Sequence, residues 1–439
     1  MAVNPHPIVE AEALAHLAAA RREASRLPQA LQAEPLPILR VAVIGAGTMG
    51  TGIAIALLDA GLDVVLIDQD GDAARRGRRH ILRHYERRVA AGKIEAAAAG
   101  ARGSALAVTA DWASLAGADL VIEAVYEDLA VKQDVFRRID ALARQDAILA
   151  TNTSYLDIDD IAAATLRPGS VLGLHFFSPA HVMKLLEVVR ATRTSPAAIA
   201  TGMALGIQLG KVPVLAGNAF GFIGNRIYNA YRRECEFMLE DGAWPEDVDR
   251  ALTAMGFAMG PFAVADLSGL DIAWRMRRAR AATRDPRERH VPILDHLCEL
   301  GRLGRKAGAG YYHYADGKAS AVTDGVVRGV IEQASARRGI VRRPLAPETI
   351  QRRALLAMAN EAGLLLAEGI ALRPGDVDVV LTEGYGFPRA FGGPVFWARQ
   401  QPVDRLEAGL RALGEAAGHG FVRADLSVFF GNRSTGAFP

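Results

Sequence analysis

Cysteine and lysine are both scarce in this 439-residue chain. There are two cysteines, Cys235 and Cys298, and six lysines against 45 arginines. Two thiols exclude a disulfide framework and any Cys-rich metal site, so no metal is expected and a reducing, cytoplasmic setting fits. The shortage of lysine reads as source base composition, and it makes each lysine easy to follow. Long apolar runs are missing too, and none reaches the ~18 residues of a membrane span. The first forty residues lack a basic start followed by an apolar core, so no secretory signal is expected. Nor is there charge of one sign. Lysine plus arginine totals 51 and aspartate plus glutamate 49, a net charge of +2, which makes no case for nucleic acid.

The residues that are present suffice to build a core. Half of them are apolar and 23% are charged, which excludes disordered, collagen-like and coiled-coil classes. At roughly 150 residues per domain the length suggests about three folded units. Residues 1–39 are rich in Ala, Arg and Pro. Glu10 to Arg26 reads as a helix, and Pro28, Pro35 and Pro37 interrupt the chain beyond it, giving a linker-like extension. From Arg40 the texture alternates. Val41–Ile44, Val64–Asp68, Ala118–Ala124, Ala147–Ala150, Val171–His175 and Leu185–Val189 read as strands, with helices to about Ala60 and from Ala73 to about Gly92. Strands alternating with helices predict a parallel, doubly wound α/β sheet over residues 40–217.

After Gly217 the strands are expected to stop. Two helical blocks come next, residues 218–318 and 340–439, separated by a break near Arg305 to Arg342. The blocks resemble each other. The stretch around Gly242 and Val248-Asp249 matches that around Gly369 and Val377-Asp378, Gly256-Phe257 echoes Gly386-Phe387, and Gly260-Pro261 echoes Gly393-Pro394. Glu234 falls opposite Glu361 at the spacing that aligns Gly242 with Gly369. Ordered anchors of this kind favour a duplicated helical unit over chance.

Gly45-Ala46-Gly47-Thr48-Met49-Gly50 is a G-x-G-x-x-G run that comes after a strand and opens a helix, with Asp68 ending the next strand. That is the context a dinucleotide site demands. Gly45 permits the turn, Gly47 lets a pyrophosphate approach the backbone, and Gly50 lets the helix pack closely on the strand. The helix N-terminus offers N–H groups to phosphates. Asp68 can accept from the ribose hydroxyls and repels a 2′-phosphate, so NAD is expected over NADP. The alternative is a glycine-rich turn with a capping aspartate.

Three further segments carry candidate chemistry. Ser154 lies just past one strand end, His175 closes another, and Glu187 is a lone acid in an apolar strand. Open α/β sheets place ligands at the carboxyl ends of their strands. A carboxylate among Leu and Val needs a partner. Twelve residues separate His175 from Glu187, enough for the chain to leave one strand, turn and return alongside. A His–Glu pair would hold one tautomer and raise the imidazole's basicity, making His175 a general base. The alternative is a core histidine and an edge-strand acid.

Together these residues resemble the NAD-dependent L-3-hydroxyacyl-CoA dehydrogenase family, over about Arg40 to about Gln400. The runs Leu174–Pro179, Met183–Val189 and Gly221–Arg226 carry the likeness most specifically. The resemblance implies that His175 is the base and Glu187 its partner. It implies that Ser154 hydrogen-bonds the substrate's 3-oxygen and that Asn225 positions the acyl thioester. It places Met49, Asp68, Val125, Glu127, Lys132, Ser154 and Ser178 at the cofactor. Read from the residues alone, Asn225 is equally a helix N-cap and Ser154 a turn residue.

The two helical blocks resemble the dehydrogenase half of multifunctional enzymes that join an enoyl-CoA hydratase to this module. The implied fold is a Rossmann-type sheet followed by two tandem all-α C-terminal domains, the second standing in for a dimer partner. Aligning Gly242 with Gly369 sets Asn225 opposite Arg352, so the second copy lacks the asparagine. In Glu383–Pro388 the resemblance makes Tyr385 a substrate contact, with a packed aromatic as the alternative. Residues 1–39 look like the tail of the linker helix, and no hydratase activity is expected. The chain would act as a monomer, or beside a separate hydratase or thiolase. Arginines 75, 76, 78, 79, 83, 87 and 88, with Lys93, could meet the phosphates of an acyl-CoA, or simply form a solvated helix face. Lys306 falls in a loop that the family places near the active site. The implied reaction is (S)-3-hydroxyacyl-CoA plus NAD giving 3-oxoacyl-CoA plus NADH, in β-oxidation. A dehydrogenase of a non-CoA 3-hydroxy acid and a non-catalytic NAD-binding subunit are the competing readings.

Overall fold

The computed structural model describes residues 7–430; residues 1–6 and 431–439, the ends of two expected segments, lie outside them. Eight strands form one sheet: β1 (Arg40–Ile44), β2 (Asp63–Ile67), β3 (Leu106–Thr109), β4 (Leu120–Glu123), β5 (Ile148–Thr151), β6 (Val171–Phe176), β7 (Leu185–Arg190) and β8 (Val212–Gly217). Their order is β3-β2-β1-β4-β5-β6-β7-β8. The described helices in chain order are α1 (Pro7–Ala24), α2 (Thr48–Asp59), α3 (Gly71–Ala90), α4 (Ala96–Ser104), α5 (Leu129–Leu142), α6 (Ile158–Ala162), α7 (Pro196–Gln208), α8 (Gly224–Asp241), α9 (Pro245–Met255), α10 (Pro261–Ser268), α11 (Leu270–Arg280), α12 (Ile293–Glu299), α13 (Gly325–Arg337), α14 (Pro347–Ala367), α15 (Pro374–Gly384), α16 (Pro394–Arg399) and α17 (Val403–Ala417).

The six expected strands are present. Two corrections concern the sheet. First, it is not wholly parallel, because β7 runs antiparallel to β6, the short connection between them being too small for a crossover. Second, β3 and β8 were not expected. β3 is an edge strand that buries only its first residue, Leu106, and β8 carries Pro213, which is tolerated because β8 is the other edge strand. After Gly217 the strands do not stop entirely, since Tyr314–Ala315 pairs with Lys318–Ala319 in a small hairpin.

The chain divides into two compact units that are not contiguous in sequence. Among the described residues, one holds residues 17–225 and 368–385, the other residues 7–16, 226–367 and 386–430. The first is the sheet unit. Val41, Val43, Ile53, Leu57, Val64, Leu66, Leu120, Ile122, Leu172 and Leu174 are among the residues of its apolar core. Helix α2 is buried along nearly its whole length, which explains why it is built of Gly, Ala, Ile and Leu. Asp70 caps α3, Asp128 caps α5 and Ser195 caps α7, each accepting a hydrogen bond from a backbone N–H in the first turn.

The second unit is helical and carries a reciprocal pattern. Arg226 of α8 pairs with Glu361 of α14 at 2.5 Å, and Arg353 of α14 pairs with Glu234 of α8 at 2.5 Å. Arg226 and Arg353 stand 127 positions apart, as do Glu234 and Glu361. Each block thus gives its arginine to the other's glutamate, the exchange that a two-fold relation produces. The echoed residues Phe257 and Phe387 touch each other, ring centroids 5.5 Å apart.

Candidate active site

The nucleotide loop joins β1 to α2. Gly45 has φ +102°, and a Cβ on Gly50 would lie 1.8 Å from the Gly45 carbonyl oxygen, so neither position tolerates a side chain. A Cβ on Gly47 would meet nothing within 4 Å. The protein's own packing therefore does not require glycine there, and the open space suits a phosphate group against the backbone. Asp68 comes directly after β2 and is half-buried. Its Oδ2 accepts from the Ala46 N–H at 2.8 Å and its Oδ1 from Asp70 N at 3.0 Å, which ties the carboxylate to the loop. These residues fit a dinucleotide. Met49 is half-buried in the first turn of α2, Val125 is half-buried just past β4, and Ser178 is exposed just past β6.

His175 and Glu187 are cross-strand partners on β6 and β7. His175 is 4% exposed and Glu187 fully buried. His175 Nδ1 lies 2.7 Å from Glu187 Oε2, and its Nε2 lies 3.2 Å from Ser154 Oγ. A carboxylate only accepts, so the proton sits on Nδ1 and Nε2 presents its lone pair to the serine side. The other oxygen of Glu187 accepts from Ile223 N at 3.1 Å and Gly224 N at 3.0 Å. These N–H groups come after two left-handed residues, Gly221 at φ +79° and Phe222 at φ +50°, a backbone arrangement suited to an anion. The carboxylate thus fixes the imidazole and the start of α8, where Asn225 sits. Asn225 Nδ2 reaches the Ser154 carbonyl oxygen at 3.4 Å, and Tyr385 Oη donates to Asn225 Oδ1 at 2.9 Å. His175, Glu187, Ser154, Asn225 and Tyr385 all fall in the sheet unit.

Glu127 and Lys132 play a part that their sequence did not show. Lys132 is fully buried, with Nζ 2.7 Å from Glu123 Oε1 and 3.4 Å from Glu127 Oε2. Its ammonium therefore lies behind the loop and supports Glu127. Glu127 Oε1 accepts from Thr153 Oγ1 at 2.6 Å and from the Ser154 N–H at 2.8 Å. Glu123, fully buried at the end of β4, also accepts from Thr151 Oγ1 at 2.7 Å and Val125 N at 2.7 Å. Sequence reasoning missed Glu123. The signal was available, since it is an acid closing an apolar strand, as Glu187 is an acid within one. Phe177 and Phe222 flank the imidazole at 4.4 and 5.5 Å between centroids, and sequence reasoning missed them as well.

Arg76, Arg79, His80, Arg83, Glu86 and Arg87 line a cavity of about 690 Å3 on α3. Of the arginines on this helix, Arg76 pairs with Asp70 at 3.4 Å, and Arg75 and Arg88 pair with Asp72 and Asp59. Lys306 pairs with Asp271 at 2.6 Å in the helical unit. Among the described residues no cluster of His, Cys, Asp or Glu could hold a metal, and no helix is long and apolar enough to cross a membrane.

The family model of the 3-hydroxyacyl-CoA dehydrogenase NAD-binding domain matches residues 40–219, and that of its C-terminal domain residues 221–314. A peroxisomal bifunctional enzyme of Danio rerio is 40% identical over 414 residues, 90% of this chain and 57% of its own length. The chain spans little more than half the length of the curated relatives it matches. The structure of a 3-hydroxybutyryl-CoA dehydrogenase from Escherichia coli K12 superposes with a TM-score of 0.75 at 29% identity, covering 88% of this chain and 96% of that one. The dehydrogenase part of multifunctional enzyme 1 from C. elegans superposes at 0.65 and 26% identity, covering 93% of each. With its glycine loop, its paired histidine and glutamate and these likenesses, the chain belongs to the 3-hydroxyacyl-CoA dehydrogenase family.

Proposed function

We propose that the chain oxidises (S)-3-hydroxyacyl-CoA thioesters to 3-oxoacyl-CoA with NAD, as a β-oxidation dehydrogenase. The observation that carries this reading is the imidazole of His175 held between Glu187 and Ser154. NAD, when bound, would supply the acceptor for the hydride of C3. Gly45, Gly47, Gly50 and Asp68 would hold it, with Met49, Val125, Glu127 and Ser178 alongside and Lys132 supporting Glu127 from within. His175 Nε2, which presents its lone pair on the Ser154 side, accepts the hydroxyl proton from the 3-oxygen while Glu187 stabilises the imidazolium. Ser154 hydrogen-bonds the same oxygen, and Asn225 orients the thioester. The basic cavity on α3 suits the phosphates of the CoA moiety.

The reciprocal Arg–Glu pairs support the further reading that residues 340–439 are a second helical copy serving in place of a dimer partner, so a monomer is proposed. Sedimentation at assay concentrations reads this directly. Two buried free thiols suit a reducing compartment, and we propose a cytoplasmic one; the Danio rerio relative is by its name peroxisomal, and fractionation of cells expressing the chain decides. The reaction is tested with purified protein, NADH and a ladder of 3-oxoacyl-CoA thioesters beside the matching free acids. Loss of nicotinamide absorbance with thioesters is expected. No turnover at any chain length overturns the reading, and turnover of free acids alone replaces the substrate class.

A further inference from the structure

Tyr385 closes α15 in the run Gly384-Tyr385-Gly386 and is seated from two sides. A Cβ on Gly224 would come within 2.2 Å of Tyr385 Cε2 and 2.6 Å of its Oη, so the ring occupies the space that glycine leaves. The ring of Phe177 meets it edge-on, with centroids 5.4 Å apart at 77°. This packing sets the hydroxyl 2.9 Å from Asn225 Oδ1, while Asn225 Nδ2 faces the Ser154 carbonyl oxygen at 3.4 Å. A main-chain carbonyl oxygen only accepts, so the amide nitrogen belongs on that side. The amide oxygen therefore faces the tyrosine, and the tyrosine hydroxyl is the donor.

We propose that Tyr385 is a positioning residue that locks the amide of Asn225 in one of its two orientations. It thereby turns the NH2 group, and not the oxygen, toward the acyl thioester carbonyl. An asparagine without such a partner samples both orientations, because its terminal torsion is broad and two-fold. In the flipped state an amide oxygen would oppose a carbonyl oxygen, two acceptors with no proton between them. The phenol thus acts through Asn225, and its single proton is committed there. The role comes from a segment far along the chain, 160 positions after Asn225. This inference rests on the hydroxyacyl-CoA reading above.

The test is a double-mutant cycle of Tyr385→Phe and Asn225→Ala. It is read by steady-state reduction of acetoacetyl-CoA with NADH and by calorimetric binding of acetoacetyl-CoA. Phenylalanine keeps the ring contacts with Gly224 and Phe177, so the melting temperature should hold. Tyr385→Phe should lower kcat by about tenfold, the worth of one well-placed hydrogen bond, with the KM for NADH and the pH profile unchanged. In the Asn225→Ala background the same substitution should cost nothing more, in turnover or in binding. An equal loss in both backgrounds would show Tyr385 acting directly on substrate and overturn the role, as would no loss in either. Absence of turnover by the unaltered protein is a separate outcome, which removes the reaction and this role with it.

Discussion

His175 Nδ1 and Glu187 Oε2 lie 2.7 Å apart across the antiparallel seam of an otherwise parallel sheet. The reversal between β6 and β7 lets residues twelve apart face one another, since a parallel pair would need a longer crossover. Glu187 is also a shared anchor, because its second oxygen holds the N–H groups of Ile223 and Gly224. One carboxylate thus organises both the proposed base and the turn that presents Asn225.

That double duty separates two substitutions. Glu187→Gln retains a carbonyl oxygen for the Ile223 and Gly224 amides but offers no charge to the imidazolium. It should keep most of the fold and lower kcat by about 10–100-fold. Glu187→Ala strands three buried donors and should in addition cost about 3 kcal/mol of stability. His175→Gln removes the base outright and should lower kcat by about 100–10,000-fold. Steady-state rates and urea titrations check all three, and equal stabilities for the two Glu187 variants would contradict the anchoring role.

The buried cluster of Lys132, Glu123 and Glu127 should be sensitive to loss of its cation. Lys132→Met leaves Glu123 inside the protein without its charge partner and should destabilise by about 3–5 kcal/mol. Adding Glu123→Gln removes the stranded charge and should restore part of that loss. Chemical denaturation of the single and double variants reads the difference. A single variant as stable as the parent would mean that the ammonium does not sustain the loop.

Asp68 should decide between the two nicotinamide dinucleotides. Its carboxylate stands just past β2, bound to the Ala46 N–H, where a 2′-phosphate would meet like charge. Asp68→Ala should narrow the preference for NADH over NADPH by about tenfold or more. The ratio of kcat/KM for the two cofactors is the measurement, and an unchanged ratio would place the discrimination elsewhere.

His84 and His181 predict an acid limit on stability. Their rings meet edge-on at 4.7 Å, and burial, then the charge of His181, pushes His84 down to about 4. Burial lowers His181 as well. Arg87 and Arg88 oppose protonation of His84, and His80, Lys211 and Arg88 that of His181, while Asp59 favours both. An unfolded histidine takes its proton near pH 6.5, so between about pH 6.5 and 4 the unfolded chain binds a proton that folded His84 refuses. The stability this site contributes is therefore complete above about pH 6.5 and is lost as the pH falls toward 4. His84→Phe should flatten the stability profile across that window, measured by denaturation at stepped pH. An unaltered slope would assign the acid sensitivity to other groups.

Much of the site was legible because its signals are local. The glycine loop between a strand and a helix, Asp68 at the next strand end, and a lone acid in Leu185–Val189 each state a physical demand within a few residues. β3 and β8 were not legible. β3 buries only its first residue, Leu106, and β8 contains Pro213, a residue that argues against a strand. The direction of β7 was legible only through the twelve-residue spacing of His175 and Glu187, because side-chain pattern fixes which face is buried and not which way a strand runs.

The glycine loop, the alternation of strands and helices, the helical character of the chain beyond residue 217 and the residue types gathered at the candidate site could all be read from local sequence. Those features stem from backbone sterics, apolar periodicity and the cost of burying charge, all of which act over short stretches. Packing was needed to turn Lys132 inward to Glu123, to bring Glu187 to two backbone amides beyond β8, and to set Tyr385 against Asn225. Each joins groups brought together by packing, and a hydrogen bond a few ångströms long leaves no trace in the spacing of the residues that make it.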